Sequence, residues 1–153
     1  MTKPKTLESI VMDISGIQPG ERFIEITHPG NGRNIGVRVS IMSINDERMK
    51  PLKKQITNER LRLEARGKNF KADDIEDNAN ELTFKAMTGW QWYKINADGK
   101  EDEKGEQATF NGKVPDFNRA SVISVFTKLP WLRNQIDEAI SEEKDFFTAS
   151  APN

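Results

Sequence analysis

The chain predicts an α+β fold: a small antiparallel β-sheet packed with several α-helices, with the C-terminal third helical. Two observations carry this. Apolar residues alternate with polar ones at Phe23–Thr27 and again from Val37 to Met42, the period of half-buried strands. Elsewhere they recur every three to four residues, as along Val122, Val125, Phe126 and Leu129, the period of helices. At 153 residues the chain suits one domain with a core. The expected division is an N-terminal segment over 1–20, a single α+β domain over 21–147 and a flexible tail over 148–153.

In chain order, Leu7, Ile10, Val11 and Ile14 fall at helical spacing, which predicts a short helix or a docking segment closed by Gly16 and Pro19-Gly20. The strands at Phe23 and Val37 flank His28-Pro29-Gly30-Asn31-Gly32-Arg33-Asn34. That run is dense in residues that tolerate positive φ and reads as the long turn of a β-hairpin. Asn45 or Asp46 then caps a helix whose Pro51 is acceptable near the first turn. Its thin stripe of Met49, Leu52, Ile56 and Leu63 stops near Gly67. A second helix begins at Asp73 or Asp74, presents Ile75, Ala79, Leu82 and Ala86, and is expected to end at Gly89. Trp90–Ile95 reads as an aromatic strand, and Ala97–Glu106 as a mobile charged excursion. Asn111-Gly112 signals a second hairpin. Asp116 or Asn118 caps the next helix, and Pro130 breaks it and opens another at the first position, where the missing N–H costs nothing. That last helix presents Leu132, Ile136, Ala139 and Ile140, and the terminus after it is expected to fray.

Composition removes much chemistry. Cysteine is absent, which excludes disulfides, thiol nucleophiles and cysteine-based metal sites. One histidine, His28, cannot make a histidine-rich metal centre. Net charge is −1 with a pI near 5.9, so the molecule as a whole is not a basic nucleic-acid binder. No apolar run approaches the roughly 20 residues of a membrane span, and no signal-type apolar region follows the N-terminus. The expectation is a cytosolic protein. Its 31% charged residues and mean hydropathy of −0.71 are polar for a compact globule, so some surface is left for loops, tails or assembly.

Charge is segregated. Arg48, Lys50, Lys53, Lys54, Arg60, Arg62, Arg66, Lys68 and Lys71 face only Glu59 and Glu64; Asp73, Asp74, Glu76, Asp77 and Glu81 follow with no base among them. These blocks read either as two solvated helix faces or as elements that neutralise each other, within a chain or between copies.

No constellation of acid, base and nucleophile emerges. His28 reads as a turn residue closing a strand. Gly30-Asn31-Gly32 lacks the Gly-Lys-Ser/Thr ending of a phosphate loop. The acidic run from Asp73 lacks calcium-loop spacing. Trp90, Trp92 and Tyr93 are not interleaved with base-rich strands and read as core rather than as a base-stacking platform. The expectation is a protein without catalytic activity, cofactor, metal, nucleic-acid partner or membrane association.

Three segments together resemble a family. They are Ile26-Thr27-His28-Pro29-Gly30-Asn31-Gly32 running on to Val37, then Ala86-Met87-Thr88-Gly89-Trp90, then Val114-Pro115-Asp116-Phe117-Asn118 with Leu129-Pro130-Trp131-Leu132-Arg133-Asn134-Gln135-Ile136-Asp137-Glu138-Ala139-Ile140 and Asp145-Phe146. In order and spacing these are similar to the tail assembly chaperones of long-tailed bacteriophages, over most of Phe23 to Phe147. Asn31 stands where that family usually has threonine, Asp145 where it has asparagine, and the connection around 97–106 is longer.

The resemblance implies a non-catalytic protein of the host cell cytoplasm. Such a protein binds the tape measure protein in many copies, keeps it soluble, and helps recruit tail tube protein. It also implies self-association and a frameshift-extended form as a further partner. The different class that stays open is a structural head–tail or tail-completion protein retained in the virion. A tape measure protein is mostly amphipathic helix, so its chaperone needs apolar grooves with reversible, salt-tunable contacts. The residues expected to supply them are Trp131, Leu132 and Ile136 at the Pro130 corner, with Leu52, Ile56 and Arg60 on the basic helix. Trp131 also reads as a helix–helix core anchor.

Overall fold

A computed structural model describes residues 13–69 and 71–149, and the predicted N-terminal helix falls largely outside them. After a short 3₁₀ turn at Ile14–Gly16 come β1 (Arg22–Thr27) and β2 (Asn34–Ile41). A second 3₁₀ turn, Glu47–Met49, leads into α1 (Lys50–Ala65), α2 (Ala72–Ala86) and β3 (Met87–Trp92). The small strands β4 (Lys94–Ile95) and β5 (Glu106–Gln107) follow, then α3 (Arg119–Lys128), α4 (Pro130–Ser141) and α5 (Glu143–Ala149).

The sheet is antiparallel in the order β1-β2-β3, as the alternation predicts, and β4-β5 form a separate ribbon. Register follows from which face must be dry. Ile24, Val39 and Trp90 form one cross-strand row, and Glu25, Arg38 and Gln91 the next, so apolar and polar rows alternate between faces. The apolar face, with Ile26, Val37, Val39 and Ile41 buried, meets Val122, Val125 and Phe126 of α3, Leu132, Ile136 and Ile140 of α4, and Phe146 of α5. Layers of sheet and helix around this one core make the fold α+β.

The β1–β2 turn is built as its residues dictate. His28 Nδ1 accepts from the backbone N–H groups of Gly30 (3.0 Å) and Asn31 (3.2 Å), and Gly32 takes φ 74°. Gly36 answers a tighter need. At φ 86° its N–H donates to Asn34 Oδ1 (2.9 Å), and a Cβ there would come within 2.5 Å of the Tyr93 carbonyl oxygen. This β2 irregularity lets the chain after β3 pass close by.

Asp46 accepts from Arg48 N (2.9 Å) and so caps the 3₁₀ turn ahead of α1, whose own N-cap, Met49, makes no side-chain cap bond. Asn118 caps α3 as expected, accepting from Ser121 N (2.9 Å), and Pro130 opens α4. Helix α1 ends in a Schellman motif on Gly67: Lys68 N donates to Leu63 O (2.8 Å) and Gly67 N to Glu64 O (2.9 Å).

Two expectations are corrected. Helix α2 does not run to Gly89. It stops at Ala86 and passes straight into β3, where Gly89 pairs with Ser40 on the polar face. The charged stretch 97–106 is a hydrogen-bonded excursion, in which Asn96 Oδ1 accepts from Asp98 N (2.9 Å) and Lys100 N (3.1 Å) and β5 returns to β4. The second hairpin expected around Asn111-Gly112 is reduced to its turn: no strands form, and a single bridge between Phe110 and Lys113 closes it, with φ 52° and 81° at the two turn residues. At the C-terminus α5 reaches Ala149, and the rest of the expected tail, 150–153, lies outside the described residues.

Candidate functional site

Leu132 and Ile136 are not at the surface. They are 1% and 0% exposed, inside the cluster formed by the sheet and α3. The apolar stripe that reads as a partner groove therefore faces the chain's own core, and these two expected contacts are corrected. Trp131 is half-buried and packs against the same core from its edge.

Leu52, Ile56 and Arg60 stand elsewhere. None of α1 is buried; Leu52 and Ile56 are half-covered and Arg60 is exposed, 3.7 Å from Glu64 one turn on. The principal packing of α1 is against the 47–49 turn and α2, whereas α4 packs on α2, α3 and β1. Helix α2 thus separates the two groups, and they do not form one groove. Leu52 lines a cleft of about 310 Å³ with Pro51 and Gln55 of α1 and Glu81, Phe84 and Lys85 of α2.

The polar residues of α4 tie it to distant segments. Gln135 grips the end of β1 with both atoms of its amide: Oε1 accepts from Thr27 N (2.9 Å) and Nε2 donates to Thr27 O (2.7 Å). On another side of the helix, Arg133 reaches α2 and donates to Glu76 (2.6 Å) and Asn80 (3.0 Å). Asn80 and Thr83 are buried, and among the described residues the Thr83 hydroxyl and Arg133 Nε have no hydrogen-bond partner. The sequence signal was available: two polar residues flanking a core stripe at positions 133 and 135.

Two further joints tie segments distant in sequence. Trp90 Nε1 donates to the Pro115 carbonyl (3.2 Å), and its ring meets Trp92 at 5.4 Å and Phe117 at 5.9 Å. Arg22 donates to Asp145 (2.9 Å) with its guanidinium over the Phe146 ring, which pins α5 to β1.

The sheet's polar face has its own network. Arg38 donates to Glu25 (2.6 Å) and Gln91 (3.2 Å) and lies 4.6 Å from the Tyr93 ring centroid. The Tyr93 hydroxyl donates to Glu25 and accepts from Asn34 Nδ2 (2.8 Å). Burial first, then the hydrogen bond to Glu25, pushes the Tyr93 hydroxyl above the ordinary phenol value. Every member has a partner, so the arrangement fixes β4 on the sheet.

Among the described residues no group of three His, Cys, Asp or Glu side chains is arranged to hold a metal ion, and no helix is long and apolar enough to cross a membrane. No family model, no curated protein and no solved structure matches the chain.

Proposed function

We propose that the chain is a tail assembly chaperone of a long-tailed bacteriophage, a non-catalytic protein that binds the tape measure protein, keeps it soluble and helps recruit tail tube subunits. One observation supports the reading most. The segments that carry the family resemblance are the ones that grip one another: Gln135 of the Pro130–Ile140 block holds Thr27 at the His28-Pro29 turn, and Trp90 after Gly89 holds Pro115. Residues spread over more than a hundred positions thus behave as parts of one scaffold, as shared motifs of a fold family should.

On this reading the tape measure protein meets surfaces outside the core: α1 with its half-covered Leu52 and Ile56, and the exposed edge of Trp131. Long apolar-striped helices need such shallow, charge-rimmed faces if they are to be released later. The test is co-expression with the long helical protein encoded downstream. The reading requires that protein to become soluble only with this chain and to co-purify with many copies of it. An insoluble or solitary partner sinks it, as does mass spectrometry that finds this chain in purified particles, the result a virion-retained completion protein gives.

A further inference from the structure

Strand β1 is an edge of the sheet, since β2 is the strand that pairs with it. A strand's backbone groups alternate between its two sides. Gln135 takes both Thr27 N and Thr27 O from the side away from β2, which sets the phase: the N–H and C=O of Glu25 and of Phe23 point to that same open side. The Gly36 irregularity leaves this phase intact. Between Glu25 and Thr27 one residue of β1 faces three of β2, so the extra length is in β2. Among the described residues no group takes the outward N–H and C=O of Phe23 and Glu25. Gln135 does for Thr27 what a further strand would do for every second residue of β1, and its reach ends there.

The open edge borders a cleft of about 780 Å³ between β1 and α4. From α4 the cleft is lined by Gln135, Glu138 and Ala139, at the three- and four-residue spacing that puts them on one face, and by Glu142 just past the helix end. No lysine or arginine lines it. Glu138 and Glu142 are exposed and enter no ion pair among the described residues. On the sheet's other face lies Phe23, 62% exposed and two residues from Glu25, whose carboxylate is already held by Arg38. The edge therefore has free acids on the α4 side and an uncovered aromatic ring on the other.

We propose that the β1 edge is a strand-addition site for an extended peptide segment of another protein in which basic and apolar residues alternate. Laid along Phe23–Glu25, such a segment gives partners to the open N–H and C=O groups of both residues and lengthens the sheet by one strand. Its side chains point alternately to the two faces. The bases on the α4 side reach Glu138 and Glu142, and the apolar side chains on the other cover Phe23. An acidic segment is repelled by the same carboxylates. A helix cannot engage the edge, because its backbone groups are already bonded within it. Trp131 and α1, the surfaces proposed for the tape measure protein, do not line this cleft, so either reading can fail alone.

Fluorescence anisotropy tests it, with the full chain and the labelled, end-blocked peptide Lys-Val-Lys-Val-Lys-Val-Lys. The peptide should bind saturably, and its counterpart with glutamate in place of lysine should not. Glu138→Lys together with Glu142→Lys, checked for unchanged helix content by circular dichroism, should weaken binding by about tenfold or more. Two further peptides, one N-methylated at every lysine and the other at every valine, separate strand addition from plain charge attraction. Only one set of amides faces β1, so one of these peptides should lose affinity by about tenfold or more while the other keeps it. That comparison leaves the protein unchanged, so it decides even where the double substitution unfolds the chain. Equal affinity of the two methylated peptides overturns the proposal. So does undiminished binding to a folded, doubly substituted chain, equal binding of the glutamate peptide, or the absence of saturable binding by the lysine peptide.

Discussion

Replacing Gln135 with alanine should weaken the fold by about 2 kcal/mol although no apolar contact of the core is removed. The estimate starts from the two hydrogen bonds that the amide makes to Thr27, at 2.9 and 2.7 Å. Each contributes about 1 kcal/mol net, and a backbone group left without a partner adds a desolvation cost of about 1–3 kcal/mol when water cannot reach it. Thr27 is half-buried, so water recovers much of that second part. Alanine's better helix propensity returns only a few tenths of a kcal/mol. In urea, with a slope of about 1–3 kcal/mol/M for a protein of this size, the midpoint should fall by about 1 M at unchanged slope.

Gln135→Glu separates the clamp from simple loss of bulk. The carboxylate can still accept from Thr27 N, but it faces the Thr27 carbonyl where Nε2 donated. That contact favours the protonated acid, so the folded-state pKa of the new glutamate lies above its unfolded value of about 4.3. A carboxyl raised on folding gives stability that is present at low pH and lost as pH rises through the folded pKa. The variant should therefore approach wild type at about pH 4 and fall furthest behind it at neutral pH. A change below about 0.5 kcal/mol for Gln135→Ala, or a Gln135→Glu deficit independent of pH, would refute the clamp as argued.

Four other expectations follow. Gly36→Ala and Gly105→Ala should each destabilise by about 1–3 kcal/mol or more. The new methyl group meets the backbone carbonyl of Tyr93 in one and of Ile95 in the other, neither of which is a flexible side-chain end; chemical denaturation measures both, and a neutral result would deny the close approach of β2 to the chain after β3 in the first case and of the two arms of the ribbon in the second. Thr83→Val should be neutral or stabilising, since the buried Thr83 hydroxyl has no partner among the described residues and valine keeps its shape; a loss above about 1 kcal/mol would reveal a partner for that hydroxyl. Leu132→Ala should cost about 2–5 kcal/mol in unfolding free energy as a fully buried leucine. Trp131→Ala should instead lower co-purification of the tape measure protein at temperatures where the variant stays folded, and equal loss of stability from both changes would make Trp131 a core residue only.

Strands and turns were legible because their signals are local. Alternation at Phe23–Thr27 and after Val37 sets the register, and Asn111-Gly112 supplies the two positive φ angles its turn needs. Gly89 was a real signal with the wrong meaning: an absent side chain marks a helix end or a strand position equally well, and here it sits opposite Ser40. The stretch 97–106 looked mobile because charge dominated its composition. Its order comes from side chains that fold back on their own backbone, Asn96 onto 98 and 100 and Asp102 onto 104. Gln135 and Arg133 could be seen as polar residues beside a core stripe, but their partners lie 108 and 57 residues away and are set only by the tertiary fold.

The misplaced contacts at Leu132 and Ile136 follow from what a hydrophobic stripe encodes. Periodicity shows that one face of a helix is to be covered; it does not name the cover. Width and neighbours decide between the chain itself and a partner. On α4 the stripe is broad, with Leu132, Ile136, Ala139 and Ile140 buried, and it lies after a sheet and helix whose apolar faces must close on something. Helix α1 has no buried side chain, and a helix of 16 residues with so little packing would be marginal in isolation. It is held by the Asp46-capped 3₁₀ turn, its Schellman stop at Gly67 and pairs such as Arg62–Glu59, each contributing about 0.3–1.5 kcal/mol. A sequence that invests local helix-stabilising devices in an element contributing nothing to its core is specifying a surface. On α4, by contrast, the polar residues beside the stripe tie the helix to its own fold, Gln135 to β1 and Arg133 to α2.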